Sequence, residues 1–294
     1  MFLVTGATGG LGRRIVRLLK DRDESVRSFV RLTSHYAELE SRGSEIFIGD
    51  LRQERDIRKA CQGVKYVISA HGSNEGSGGA ETLDYRANID LIDQAKEAGV
   101  EHLVFVSVLG CDRGYEDAPV FKAKAAVEVY LRSSGLNYTI LQPSGFASNL
   151  LPLAERFRQT GIYVLIGDSQ SRSSIVSTDD LARIAAESVS TEGARNKTLP
   201  VGGPEILKRG DIPQIFGRVF NREPMILNPP LFAFDGIRGA VSLFNPGLGS
   251  SLGTLRTLLA NEFFCTPAQT EYLESTFDFK LESLEHFLIR YLGV

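Results

Sequence analysis

Eight residues near the start of the chain, Thr5-Gly6-Ala7-Thr8-Gly9-Gly10-Leu11-Gly12, have the types and spacing that hold a phosphate. Glycines stand at 6, 9 and 12. In such a pattern the first permits a tight turn, the second lets backbone N–H groups approach a pyrophosphate, and the third lets a helix close onto a strand. The unpaired donors and positive dipole end of the following helix then face the anion. Thr8, Gly10 and Leu11 share the turn and join the candidate contacts. Glycines occur in many strand-to-helix turns; what gives these their meaning is their place in the first βα turn of a series.

The choice of nucleotide rests on the end of the second strand. An NAD-binding protein usually presents a carboxylate there to the ribose 2'-hydroxyl. This chain has Val30-Arg31-Leu32 instead. Arg31 can fork onto a 2'-phosphate, which points to NADP. Arg13 and Arg14 fit the same picture, because first-turn cations oppose the helix dipole unless an anion lies nearby; the alternative is that these arginines only solvate the surface. Asp50, in Gly49-Asp50-Leu51, either accepts the adenine amino group or caps the next helix. Ser69, Ala70 and His71 supply small residues beside the adenosine half. His71 is expected to line the cleft or face solvent, since no carboxylate or serine is spaced to pair with it.

These residues need a scaffold, and the hydrophobic pattern describes one. Strands are expected near 2–5, 26–30, 45–48, 65–69, 102–107 and 137–142, with the best helices at 11–22, 80–99 and 120–135. Leu103-Val104-Phe105-Val106 is apolar on both faces, as when helices cover both sides of a parallel sheet. The architecture is doubly wound α/β, with residues 1–150 as the nucleotide domain and 151–294 completing the sheet and forming a small C-terminal substrate or lid subdomain. Beyond Pro143 come a strand at 162–166, a helix at 178–190 and a strand at 198–201. The stretch 224–264 reads as the lid, or alternatively as an apolar surface for a membrane or protein partner.

Composition narrows the classes. The chain has 294 residues, 43% apolar and 23% charged, with net charge -3, enough for a core and unsuited to a nucleic-acid tether. Cys61, Cys111 and Cys265 are too far apart for a zinc site or a disulfide framework, which suggests a reducing compartment. No run approaches the roughly 18 apolar residues of a membrane span, and the immediate strand leaves no room for a targeting peptide. A cytoplasmic protein is expected. No Gly-x-Ser-x-Gly elbow follows an expected strand, and clustered metal ligands are lacking, against hydrolase and metal chemistry.

Taken together, the glycine turn, Gly49-Asp50-Leu51, Asp84-Tyr85-Arg86-Ala87-Asn88, Gly99-Val100-Glu101-His102-Leu103-Val104-Phe105-Val106-Ser107, Ser134-Gly135-Leu136-Asn137-Tyr138-Thr139-Ile140-Leu141-Gln142-Pro143 and Gly202-Gly203-Pro204-Glu205 resemble the atypical short-chain dehydrogenase/reductase superfamily, in its NmrA-like NAD(P)-binding branch. The resemblance runs to about residue 220 and implies an NADP-loaded Rossmann domain. It also implies that both reductases and non-catalytic sensors or assembly factors are open as functions. Reductases of the superfamily usually carry Tyr-x-x-x-Lys on the helix after the fifth strand. Here Lys124 takes the lysine position, where it would hold the nicotinamide ribose, but Val120 stands where the tyrosine would be. Sugar-nucleotide epimerases would keep that tyrosine.

Ser107 matches the position of a hydroxyl that orients substrate, or else makes a strand-end bond to backbone. Tyr115, nine residues ahead of Lys124, is a candidate donor from a loop, because Pro119 disfavours helix there. Glu128, one turn beyond Lys124, is expected as its salt-bridge partner. Pro143 and Phe146 complete the cofactor set and, with 224–264, shape the pocket. The leading expectation is an NADP(H)-dependent reductase of a small apolar enone or quinone. The alternative is a non-catalytic NADPH-binding sensor or assembly factor. The oligomeric state stays open.

Overall fold

A computed structural model describes residues 1–73, 79–244 and 246–293. The first half alternates strand and helix: β1 (Phe2–Thr5), α1 (Gly10–Asp21), β2 (Val26–Val30), α2 (Ala37–Ser41), β3 (Glu45–Ile48), α3 (Glu54–Cys61), β4 (Tyr66–Ser69), α4 (Ala87–Glu97), β5 (His102–Val106), α5 (Pro119–Ser133) and β6 (Tyr138–Pro143). Then follow α6 (Leu151–Thr160), β7 (Ile162–Val164), β8 (Arg172–Ser173), α7 (Thr178–Glu187), β9 (Lys197–Val201), β10 (Leu207–Lys208), α8 (Asp211–Val219) and β11 (Met225–Leu227). Four helices end the chain: α9 (Leu231–Phe244), α10 (Pro246–Ala260), α11 (Pro267–Phe277) and α12 (Leu284–Leu292).

Seven strands form one sheet in the order β3-β2-β1-β4-β5-β6-β9. The pairings from β3 through β6 are parallel, with Phe2 level with Val26 on one side and with Tyr66 on the other. Chain order reverses between β1 and β4, so the crevice beyond their carboxyl ends is where such a sheet binds ligands. Residues buried on both faces explain why β1 and β5 read as continuous apolar runs. In α1 the buried residues Leu11, Ile15, Val16 and Leu19 recur at helical spacing, placing one stripe on the sheet. Phe105 lies at the centre of this core, and cutting it to alanine costs about 3–5 kcal/mol.

The doubly wound expectation holds; most element ends shift by one or two residues, and three elements differ more. The helix expected over 80–99 begins as a π-helical turn, Ala80–Arg86, before α4 takes over. The strand expected at 162–166 stops at Val164, and the helix at 178–190 stops at Glu187.

Contacts divide the chain into two compact units that interleave in sequence. The first is Met1–Gly114, Pro119–Gln142 and Thr178–Leu199; the second is Tyr115–Ala118, Pro143–Ser177 and Pro200–Val294. The second has its own core around Phe157, Tyr163, Phe216 and Phe287. Its Phe157 and Phe216 rings lie 5.8 Å apart. Within 224–264 the structure places β11, α9 and α10, while Asn245 lies outside the described residues. Among the described residues no helix is long and apolar enough to cross a membrane.

Candidate functional site

The glycine turn joins β1 to α1 at the reversal of strand order. Gly6 has φ +67°, in the left-handed region, and a Cβ there would lie 2.5 Å from the Ala70 carbonyl oxygen. A Cβ on Gly12 would collide with the Gly6 carbonyl. Gly9 is the N-cap of α1 without a side-chain hydrogen bond, and the helix's first turn bears no carboxylate. The first amides of α1 are therefore left without an acceptor from a capping side chain. This arrangement fits a pyrophosphate.

The three arginines differ in what they already touch. Arg13 donates to Glu38 at 3.1 Å and to the Thr8 and His35 carbonyls. Arg14 pairs with Asp179 at 2.9 Å. The anion expected beside both is thus supplied by the protein. Arg31 is exposed just past β2. The Asp50 carboxyl is held below its usual range, chiefly by hydrogen bonds from Arg52 and in smaller part by the Arg31 charge. Asp50 is not the cap of α3, contrary to that alternative: Gln53 is the N-cap residue, and the Asp50 carboxylate accepts from the Arg52 backbone at 3.0 Å.

Past β4, His71 is buried and fully engaged. Its Nε2 lies 3.2 Å from the Leu83 carbonyl, which can only accept, so this nitrogen carries the proton. Its Nδ1 then accepts from the Thr5 hydroxyl at 2.8 Å, with the Ser69 hydroxyl at 3.2 Å. The expectation that no serine could pair with His71 is corrected: Ser69, two residues earlier, is within reach. Ser69 itself donates to Asn88 at 2.6 Å. Burial, and next the nearby Lys124 charge, push the His71 pKa down to about 4. A neutral ring with both nitrogens occupied is not set to shuttle protons.

Lys124 projects from α5 to the end of β5, where its Nζ donates to the Val106 carbonyl at 2.9 Å and sits 5.1 Å from the Phe105 ring centroid. It is 8% exposed. Burial lowers its pKa, opposed first by the Asp84 charge. Its carboxylate neighbour is Asp84, at 3.8 Å. The expected Glu128 pairing is overturned. Glu128 instead takes Arg132 at 2.6 Å, Gln142 at 2.8 Å and the Cys111 thiol at 3.1 Å. Ser107 is buried, its amide donating to the Leu141 carbonyl at 2.7 Å and its hydroxyl 3.7 Å from the Cys111 sulfur.

The first unit thus brings together Gly6, Gly9, Gly12, Ser69, Ala70, His71, Ser107 and Lys124 at the carboxyl ends of neighbouring strands β1, β4 and β5. Asp84, Asn88 and Ser73 join them, and sequence reasoning had assigned none of the three a role. The signal available was a carboxylate and an amide one helical turn apart, Asp84 just ahead of α4 and Asn88 in its first turn. Tyr115, Pro143 and Phe146 belong to the second unit. Tyr115 lies in a loop, its ring 6.0 Å from that of Phe263. Pro143 is buried, and Phe146 bridges to Val176. Val120 is the second residue of α5, after Pro119.

Residues 6–192 match the model of a family described as NAD(P)H-binding. Among similar proteins, the photosystem II assembly factor Ycf39 of Cyanophora paradoxa is 29% identical, with 99% of this chain and 92% of that protein covered. An NAD(P)H azoreductase of Xenophilus azovorans is 31% identical over 72% of this chain and 71% of its own. In fold, the chain is similar to an NADPH-dependent quinone oxidoreductase of Escherichia coli solved with NADPH, with a TM-score of 0.79 and 20% identity over 99% of this chain and 100% of the other.

Proposed function

The chain belongs to the NAD(P)H-binding family of atypical, NmrA-like short-chain dehydrogenase/reductases, and from that premise we propose that it binds NADP(H) and reduces a small apolar, conjugated acceptor such as a quinone, enone or azo compound. The dinucleotide supplies the hydride. The backbone of Gly6 to Gly12 holds the pyrophosphate, Arg31 the 2'-phosphate, and Asp50 with Leu51 the adenine side. Lys124 holds the nicotinamide ribose and Ser107 orients the acceptor. Three buried thiols suit a reducing compartment such as the cytoplasm.

The observation that carries this reading is a closely packed, uncapped glycine turn together with Lys124 on an α5 that bears Val120 one turn earlier. A positioned general acid is worth roughly 10²- to 10⁴-fold in rate. Carbonyl reduction needs that acid as the alkoxide forms. A conjugated acceptor spreads the incoming charge and can take its proton from water, so it loses less. The azoreductase relative supports the same class of acceptor.

The test is calorimetry with NADPH, then single-turnover absorbance of the reduced nicotinamide against quinones, enones, azo dyes and aldehydes. Oxidation by the conjugated compounds and not by aldehydes is expected. Binding without oxidation by any of them would replace this reading with a second one, a non-catalytic assembly or sensor protein. The specific support for that second reading is the assembly-factor relative aligned over nearly the whole chain. No binding would remove both.

A further inference from the structure

In the second unit, the ribbon of β7 and β11 ends in an edge that the rest of the described chain leaves open. β11 runs parallel to β7, with Met225 level with Ile162, Ile226 with Tyr163 and Leu227 with Val164, and no further strand follows it in that sheet. The Met225 amide donates to the Gly161 carbonyl, and the Leu227 carbonyl accepts from the Leu165 amide. With its two neighbours bonded to β7, Ile226 turns its own N–H and C=O outward. Among the described residues neither group has a partner.

The side chains along this edge are those of a strand that is covered. Met225, Ile226 and Leu227 are 62%, 40% and 49% exposed, and Val164 beside Leu227 is exposed too. Natural proteins blunt an open edge with a charge, most often lysine, in the strand itself. Here the three residues carry none, and Pro224 and Pro229 bound the strand without interrupting it.

The edge is its own complement, which selects a second copy of the chain as its occupant. Set antiparallel about a two-fold axis at Ile226, two β11 strands exchange both Ile226 bonds, as residues of a hydrogen-bonded antiparallel pair do. Met225 of each copy then faces Leu227 of the other, so every cross-strand pair is apolar. The nearest charges along the chain, Arg222 and Glu223, are kept roughly 20 Å or more from their own counterparts, so like charges do not meet. Pro224 lacks the N–H that would extend the ladder, and a two-fold contact consumes both edges at once, so pairing closes at two chains. We propose that two chains associate through β11, joining their ribbons into one four-stranded sheet in the order β7-β11-β11-β7. Three residues a side make a contact below the standard interface size, so the dimer is weak and forms as concentration rises.

Sedimentation velocity on the full chain, from about 1 to 300 µM, tests this. The wild-type coefficient is expected to climb with concentration toward that of a dimer. Ile226→Pro deletes only the outward N–H, at a place where an edge strand tolerates proline, and should raise the dissociation constant about 10- to 100-fold. Met225→Lys and Leu227→Glu, both at exposed positions, should each raise it about tenfold. Mixed in equal amounts, those two variants should form a heterodimer tighter than either homodimer, because the introduced lysine meets the introduced glutamate while the other Met225–Leu227 pair stays intact. A misfolded variant could not give that rescue, which reports occupant and register together. A wild-type chain that stays monomeric to about 300 µM would overturn the proposal. So would a dimer that none of the variants weakens, or one that the mixture fails to restore. A monomer that floats with phosphatidylcholine vesicles would give the edge to a lipid surface instead, equally against it.

Discussion

At the scale of single residues, the arginines near the nucleotide turn divide by what already meets their charge. Arg13 and Arg14 are held by Glu38 and Asp179, while among the described residues Arg31 makes no ion pair. Its charge reaches Asp50 without a hydrogen bond between them, so the fork is kept for a phosphate. Arg31→Ala is therefore expected to raise the dissociation constant for NADP about 10- to 100-fold and to leave NAD nearly unchanged, as calorimetry with each would show. Equal losses would remove the 2'-phosphate argument. The contrast also marks how far residues can be read in sequence. Arg31 was legible because its meaning is local, a cation closing the second strand. The partners of Arg13 and Arg14 stand 25 and 165 residues away, and no spacing rule reaches them. Ser69 beside His71 was within reach of such a rule, since side chains two apart in an extended segment share a face.

At the scale of elements, the β1–α1 turn is where sequence and geometry agree most closely. Its glycines serve a backbone approach that any side chain would block, and such demands leave a mark at fixed spacing. Gly12→Ala is expected to push α1 off β1, because the new methyl would occupy the place of the Gly6 carbonyl. Loss of nucleotide binding and a lowered unfolding midpoint should appear together. A variant that binds normally would show that close helix–strand approach is dispensable. The π-helical turn was not legible. Asp84 and Tyr85 sit in what reads as the start of one long helix, and the irregularity is supported from a distance. Asn88 donates to the Leu83 and Asp84 carbonyls, and Asp84 is held by Ser73 from the segment after β4. Polar clusters assembled from three elements have no period to detect.

At the scale of the whole molecule, two interleaved units each carry a core, and acid tests the first of them through its buried imidazoles. His71 and His102 are 7% and 4% exposed, and desolvation by burial is the first cause holding each neutral down to about pH 4. His102 spends its Nε2 proton on the Thr139 hydroxyl at 2.9 Å, whose own proton goes to the Ala194 carbonyl. In the unfolded chain both rings take up a proton near pH 6.5. Between about pH 6.5 and 4 the unfolded state thus binds protons that the folded state refuses, and stability falls as pH falls. The loss approaches about 3 kcal/mol for each ring and stops once the folded rings also titrate. Carboxylates held low by arginines act lower on the scale. Glu262, set at about 2 by hydrogen bonds from Arg172, surrenders its contribution only below its unfolded value of 4.5. The span from pH 6.5 to 5 therefore isolates the histidines. Urea unfolding at steps across it should show the free energy dropping with pH in the wild-type protein, more gently in His71→Gln and in His102→Gln, and least in the double variant. If the double variant kept the full slope, the acid sensitivity would have to come from groups other than these buried rings.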